Sequence, residues 1–130
     1  MNFFVINIIL IIIIILLFIF PFITRFRVKR AATIIDEVTF REGMRSAQVI
    51  DVREPAEFKR RHIMGARNLP ASQVKVSLAS IRKDKPVYLY ENGKPQIAGN
   101  VALILKKNGY QDIYILKKGL EYWTGKVKEQ

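Results

Sequence analysis

The chain has 130 residues, with 22 Lys and Arg against 11 Asp and Glu, and a net charge of +11. Residues 31–130 suffice for one small domain, so the length excludes two folded domains. The chain contains no cysteine, which excludes disulfides, thiolate metal sites and a thiol nucleophile. Its single histidine, His62, argues against a zinc site. We therefore expect no metal and no cofactor.

The chain begins with an uncharged apolar run, residues 3–23. A helix of these 21 residues is about 31 Å long at ~1.5 Å per residue, which matches a hydrocarbon core of about 30 Å. The alternative is a cleaved signal peptide. Against it, no Lys or Arg precedes the run, and the run exceeds the usual apolar region of about 7–15 residues. We expect a single transmembrane helix in contact with the lipid bilayer.

Four basic residues follow the apolar run, in a linker that we assign to residues 24–32: Arg25, Arg27, Lys29 and Arg30. The positive-inside rule then places the following domain, residues 33–130, in the cytoplasm and the N-terminus outside the cell membrane. The four charges also attract anionic lipid, at roughly 1 kcal/mol each, but fixing the topology already accounts for them. The composition, rich in isoleucine and lysine, favours a bacterial protein.

The remaining charge raises the question of nucleic-acid binding. Without those four residues, 18 basic and 11 acidic residues leave a net charge of +7. The cations are scattered along the domain, and no aromatic residues interleave with them as in an RNA-binding sheet. A solvated basic face turned toward an acidic membrane explains the charge without a nucleic acid.

Short apolar runs alternate with helical patterns along the domain. Strands are predicted at residues 48–52, Val87–Tyr90 and Ile113–Leu116, with a weaker one at residues 66–69. Helices are predicted at residues 36–44 with Asp36 as N-cap, at Pro55–Arg60, at residues 73–81 and at residues 95–108. This alternation predicts an α/β domain with a mainly parallel sheet and helices on both faces. Ligands of such sheets collect at the carboxyl ends of the strands.

Three stretches resemble the rhodanese family. Residues 51–58 (DVREPAEF) and 62–70 (HIMGARNLP) resemble its N-terminal signature, with Arg61 in place of the glycine before the histidine. Residues 116–123 resemble the closing L-x-G-G-x-x-x-W, with Lys118 in place of the first glycine, and residues 87–105 resemble the strand, loop and helix of the family's active site. The resemblance covers about residues 35–123 and implies a five-stranded α/β sheet. The matching motif residues are Asp51, Arg53, Glu57, His62, Gly65, Arg67, Gly119 and Trp123.

The resemblance also implies where catalysis would occur. Family members place a cysteine at the end of the central strand, and the backbone amides of the next loop, with the N-terminus of the following helix, form an anion cradle. Aligned on Gly93, this chain has Tyr90 at the cysteine position. A phenol, with a pKa near 10, is a poor nucleophile at pH 7 and cannot carry a persulfide sulfur.

The rest of the loop departs from the family pattern as well. Pro95 replaces the family's arginine and removes a backbone donor, and Gln96 replaces a small hydroxyl residue. Glu91 brings a negative charge whose carboxylate could itself occupy the cradle. The candidate binding loop comprises Tyr90, Glu91, Asn92, Gly93, Lys94, Pro95 and Gln96.

Several motif residues also have a purely structural explanation. Tyr90 could close a strand over the core, and Asp51 could cap the next helix or pair with a neighbouring arginine. His62 would be a neutral structural histidine and Trp123 a core residue. The functional prediction therefore depends on the exposed loop, residues 91–94, because recognition usually lies on loops of a rigid scaffold.

We expect a membrane-anchored, catalytically inactive rhodanese-like domain that acts as a protein-interaction or regulatory module. Its partner would be a membrane protein, or a cytoplasmic protein brought to the membrane. The alternatives are a sulfurtransferase, which the absence of cysteine opposes, and weak binding of a small oxyanion in the cradle.

Overall fold

The computed structural model describes residues 2–129. The first element is helix α1 (Phe3–Ala31), in which the Asn2 side chain caps the start by accepting a hydrogen bond from the Val5 amide. Within the described residues, α1 is the one helix long and apolar enough to span a membrane, and the domain buries none of its most apolar window. The same helix continues through residues 24–31, most of the segment assigned to the basic linker.

The domain contains the five-stranded sheet that the sequence predicts, and every pairing in it is parallel. In chain order the strands are β1 (Thr33–Ile35), β2 (Gln48–Asp51), β3 (Arg61–Ile63), β4 (Arg67–Asn68), β5 (Val87–Tyr90), β6 (Ile113–Leu116) and β7 (Val127–Glu129). The sheet has the order β1-β6-β5-β2-β4, so β5 is central. Because the strands are parallel, their carboxyl ends meet along one side, the loop edge: residues 36–38, 52–54, 91–96 and 117–119.

Three helices surround the sheet: α2 (Glu37–Gly43), α3 (Pro55–Arg60) and α4 (Ile97–Lys107). The predicted cap of α2 is confirmed, because the Thr39 amide donates to Asp36 Oδ1 at 2.9 Å. Proline opens α3 as predicted. The helix predicted from residue 95 begins two residues later, at Ile97.

The helix predicted at residues 73–81 is wrong. Two short 3₁₀ turns, Ala71–Gln73 and Leu78–Ser80, take its place. β-branched and serine residues lie between the turns, and both types weaken a helix interior. Val74 and Ile81 are nonetheless buried, so their spacing reflects packing beneath a loop rather than a helical face.

The sequence patterns also missed strands β1, β3 and β7. Each has only three residues, too few to show a clear alternation of apolar and polar side chains. β3 and β7 form a separate antiparallel pair, in which His62 lies opposite Lys128.

A hydrophobic core lies on each face of the sheet, which confirms that helices cover both sides. One core joins the sheet to α4 and includes Val101, Leu105, Leu89 and Ile115. The other joins it to α2 and contains a group of aromatic residues: Phe40, Tyr88, Tyr90 and Trp123. The Phe40 ring lies 4.9 Å from that of Tyr88 and 5.8 Å from that of Trp123, measured between centroids.

Helix α1 is connected to the domain covalently and also by side-chain packing. Val28 packs against the core on the α4 side, and Ala31 and Ala32 are buried. Gly99 lets the helices approach, because a Cβ atom there would lie 3.3 Å from Val28 Cγ2. The end of α1 is therefore part of the folded domain.

A larger side chain at Gly99 should separate the two helices. We expect Gly99→Val to lower the free energy of unfolding by about 1–3 kcal/mol, because overpacking at a close contact costs this much. The measurement is thermal or denaturant unfolding of the full chain in detergent micelles. Asn100→Val, at the exposed neighbouring position, is the matched control. Equal losses in the two variants would contradict the contact.

Candidate functional site

A buried ion pair lies at the loop edge, where β2 ends. Asp51 is 0% exposed and Arg53 is 6% exposed. Arg53 Nη2 lies 2.7 Å from Asp51 Oδ2, and Arg53 Nε donates to Asp51 Oδ1 at 3.0 Å. Of the two structural explanations for Asp51, pairing with an arginine is the one observed.

The same guanidinium holds two neighbouring segments. Arg53 Nη1 donates to Asn92 Oδ1 at 2.9 Å, and Nη2 donates to the Arg61 carbonyl at 2.6 Å. The Asn92 amide nitrogen then donates to Glu57 Oε1 at 3.1 Å. Burial acts to lower the pKa of Arg53, but the hydrogen bonds and negative charge of Asp51, together with the nearby Tyr90 and Glu57, outweigh it and the pKa is raised. The motif residues Asp51, Arg53 and Glu57 thus hold the candidate loop in place.

Tyr90 points into the core rather than into the cradle. It is fully buried among the aromatic residues of the α2 side. Its hydroxyl accepts a hydrogen bond from the Ile63 amide at 3.1 Å. Burial, followed by the negative charge of Asp51, raises the pKa of this phenol. The structural explanation for Tyr90, an aromatic residue that closes the strand over the core, is the one that the geometry supports.

The side chain that enters the cradle is that of Glu91. Its Oε1 accepts a hydrogen bond from the Ala98 amide at 2.9 Å, in the first turn of α4, and the residue is only 8% exposed. Burial raises the pKa of this carboxyl, while the amides of Ala98, Gln96 and Ile97 oppose the shift. A helix N-terminus favours an anion, and here the chain itself supplies one. The expectation that Glu91 could occupy the cradle is confirmed.

Gly119 fixes the closing motif against this loop. Its φ of +67° lies in the left-handed region, and a Cβ atom there would come within 2.4 Å of the Glu91 carbonyl oxygen. The next two amides, of Leu120 and Glu121, donate to the carbonyls of Glu91 and Asn92 at 2.8 and 2.7 Å. The loop is therefore held from two sides, by Arg53 at the Asn92 side chain and by the segment after β6 at the backbone.

The remaining motif residues lie away from the cradle. His62 Nδ1 donates to the Phe58 carbonyl at 2.7 Å, and its ring stacks on Phe58. Arg67 donates to the Ser80 carbonyl at 2.6 Å. Gly65 adopts a φ of +93° in the turn after β3, and Trp123 packs in the α2-side core. Their positions agree with structural roles.

The exposed candidate residues form two groups. Asn92, Lys94 and Gln96 are exposed on the loop, while Gly93 and Pro95 are half-buried. The four basic residues that follow the apolar run are all exposed on α1: Arg25, Arg27, Lys29 and Arg30. Among residues 2–129, no three His, Cys, Asp or Glu side chains lie close enough to hold a metal ion.

Sequence reasoning did not assign roles to Asn68 or to the Ile63 amide. The Asn68 amide nitrogen donates to the carbonyls of Asp51 and Arg53, at 3.0 and 2.9 Å, and so fixes the end of β2. Asn68 lies within the recognised motif, which was the available signal. The Ile63 donor belongs to the backbone, so no residue type could have indicated it.

Removing one partner of the buried pair should be costly. We expect Asp51→Asn to lower the free energy of unfolding by about 3–5 kcal/mol, because it leaves the Arg53 charge buried and uncompensated. Chemical denaturation of the full chain measures the loss. Asp84→Asn breaks the exposed pair with Arg82 and should change stability little. Similar losses of unfolding free energy in both variants would show that the buried pair contributes no more to stability than the exposed pair.

Emptying the cradle should expose an anion site. We expect sulfate to raise the melting temperature of Glu91→Ala but not that of the native chain, because only the variant leaves the α4 amides free. Glu121→Ala removes an exposed carboxylate next to Gly93 and serves as the control. Differential scanning fluorimetry with sulfate and with chloride at equal ionic strength gives the comparison. A sulfate effect on the native chain of equal size would contradict occupation by Glu91.

Comparisons with known proteins identify the family and the fold. The sequence profile described as "Rhodanese-like domain" matches residues 37–126. The uncharacterized protein YqhL of Bacillus subtilis is 50% identical over 100 residues, covering 77% of this chain and 79% of YqhL. The thiosulfate sulfurtransferase GlpE of Pseudomonas aeruginosa is 34% identical over 79 residues, covering 59% of this chain and 69% of GlpE. A rhodanese-related protein from Thermoplasma volcanium has a similar crystal structure, with a TM-score of 0.68 at 21% identity, covering 75% of this chain and 99% of that one. The chain therefore belongs to the rhodanese-like domain family.

Proposed function

We propose that this protein is a membrane-anchored, catalytically inactive rhodanese-like domain that acts by binding a protein partner. The observation that carries the proposal is the Glu91 carboxylate in the cradle. In an active family member that space would hold the reacting sulfur and its anion. Here a side chain of the protein fills it, and the chain has no cysteine to supply a persulfide.

The environment of Tyr90 supports the loss of catalysis. An activated nucleophile needs a lowered pKa or an adjacent base, and burial shifts this phenol in the opposite direction. Its oxygen already accepts a hydrogen bond from the Ile63 amide, inside the core. A substrate in the cradle would meet Glu91 first.

The long apolar helix supports a membrane location. An apolar run of 21 residues, continued by Arg25, Arg27, Lys29 and Arg30, fits a single-pass anchor with the domain on the cytoplasmic side. Because the start of the domain packs on the end of the same helix, cleavage within the helix would remove part of the domain core. This packing favours an anchor over a cleaved signal peptide.

The loop edge supports a recognition role. Residues 91–96 are held by hydrogen bonds from Arg53 to the Asn92 side chain and from the segment after β6 to the loop backbone. Beside them, on the α2 side, a shallow concavity of about 470 Å³ lies between the start of α2 and the segment after β6. Val38 and Tyr122 line it and are 64% and 63% exposed. Exposed aromatic and aliphatic side chains next to charged ones are typical of protein interfaces.

Sulfur transfer is the alternative, and the named activity of GlpE is the observation in its favour. We expect the purified full chain, mixed with thiosulfate and cyanide, to release no more sulfite than its Tyr90→Phe variant does. Glu91→Cys should place a thiol in the cradle, whereas Tyr90→Cys should bury it in the core. Thiocyanate formation by the native chain, above Tyr90→Phe and lost on unfolding, would contradict the proposal.

In-cell crosslinking with mass spectrometry tests the binding role. The comparison is between the native chain and a variant with serine at Val38, Lys118 and Tyr122, exposed residues that line the concavity; the variant keeps Glu91 and the hydrogen-bonded Asn92 in place. We expect the variant to lose specific partners while it remains in the membrane fraction. Serine at Lys83, Lys85 and Gln111, exposed positions at the opposite edge of the sheet, should leave the partner set unchanged. An unaltered partner set in the first variant would argue against recognition by the concavity.

A further inference from the structure

The direction of α1 relative to the sheet can be read from its contacts. Val28 lies against Gly99, near the start of α4, and α4 begins at the loop edge. Four residues later, Ala32 precedes β1, and Thr33 pairs with Tyr114 at the amino end of β6. Along the chain, α1 therefore descends from the loop edge toward the opposite edge of the sheet. The apolar run, at the other end of α1, therefore extends beyond the loop edge and away from the sheet.

The positions of Ile23 and Ile97 along the axes of α1 and α4 follow from helix geometry. Ile23, the last residue of the apolar run, precedes Val28 by five positions, or about 7.5 Å at ~1.5 Å per residue. Ile97 precedes Gly99 by two positions, or about 3 Å along α4. Measured along the helix axes, Ile97 therefore lies about 4–5 Å from Ile23, on the side toward the domain. Each headgroup layer is about 5–7 Å thick, so the start of α4 falls within it when the apolar run spans the bilayer.

The side chains at this level suit a lipid surface. Ile97 is 45% exposed although Val101 and Leu105 of the same helix are buried in the core. Lys94 is exposed on the preceding loop, and Arg25 and Arg27 are exposed on α1. Apolar side chains can enter the interface while cations meet phosphate groups. Because Glu91 already occupies the cradle, contact would be through these side chains and not through the α4 amides.

We propose that the α4 side of the loop edge, residues 94–97, is seated in the phospholipid headgroup layer of the membrane that α1 spans. This deepens the proposed function and rests on its membrane anchor. The concavity on the α2 side remains open beside the membrane surface, so a protein partner reaches it at the level of the lipid headgroups. The partner is then a membrane protein or one already bound to the bilayer.

The natural lack of cysteine gives a direct test by site-directed spin labelling. Single cysteines at Lys94 and Ile97 carry a nitroxide in the full chain, reconstituted in phosphatidylcholine vesicles with one quarter phosphatidylglycerol. Lys85→Cys, an exposed lysine at the opposite edge of the sheet, is the matched control. Relaxation by oxygen, which partitions into lipid, and by a water-soluble nickel chelate gives the depth of each label.

We expect the labels at positions 94 and 97 to be several-fold less accessible to nickel than the label at position 85. Equal accessibility at the three positions would overturn the proposal and leave this surface free for a soluble partner. A fourth label at Ile13 separates the two proposals. A buried label at Ile13 with aqueous labels at 94 and 97 rejects only the seating on lipid. An aqueous label at Ile13 rejects the membrane anchor and the seating together.

Discussion

The arrangement of the loop edge depends on the ion pair between Asp51 and Arg53. A buried pair is stable only when hydrogen bonds satisfy its remaining donors and acceptors. Arg53 uses its free donors on Asn92 and on the Arg61 carbonyl, and so joins the end of β2 to the central loop and to β3. The motif residues Asp51 and Arg53 here connect three segments of the domain.

Glu91 supplies an anion to the start of α4 from within the chain itself. The start of α4 carries partial positive charge, and unpaired amides buried there would cost free energy. The Glu91 carboxylate, which accepts a hydrogen bond from the Ala98 amide, serves this purpose here. Among residues 2–129, no buried side-chain nitrogen or oxygen lacks a hydrogen-bond partner. The buried side chains of the loop edge are thus fully hydrogen-bonded.

Much of the fold could be predicted from the sequence, because the long motifs and the buried central strands carry strong patterns. Asp36, Pro55 and the apolar face of α4 identified their helices through local chemistry. The sequence could not show that Tyr90 points away from the cradle, since side-chain direction depends on where the strand ends. The three-residue strands and the 3₁₀ turns near Val74 depend on tertiary pairing, which local propensity does not describe. The contact between Val28 and Gly99 joins distant segments and has no sequence signal of its own.

That contact has a mechanical consequence. In the proposed membrane anchor, a continuous helix whose end is built into the domain core would leave little freedom of orientation between membrane and domain. The entropy of orienting the domain has then been lost at folding, so a partner that docks on it in the membrane loses less on binding. Rotation or tilt of α1, imposed by a neighbouring transmembrane helix, would turn the whole sheet with it. The anchor would in this way transmit torque as well as fix position.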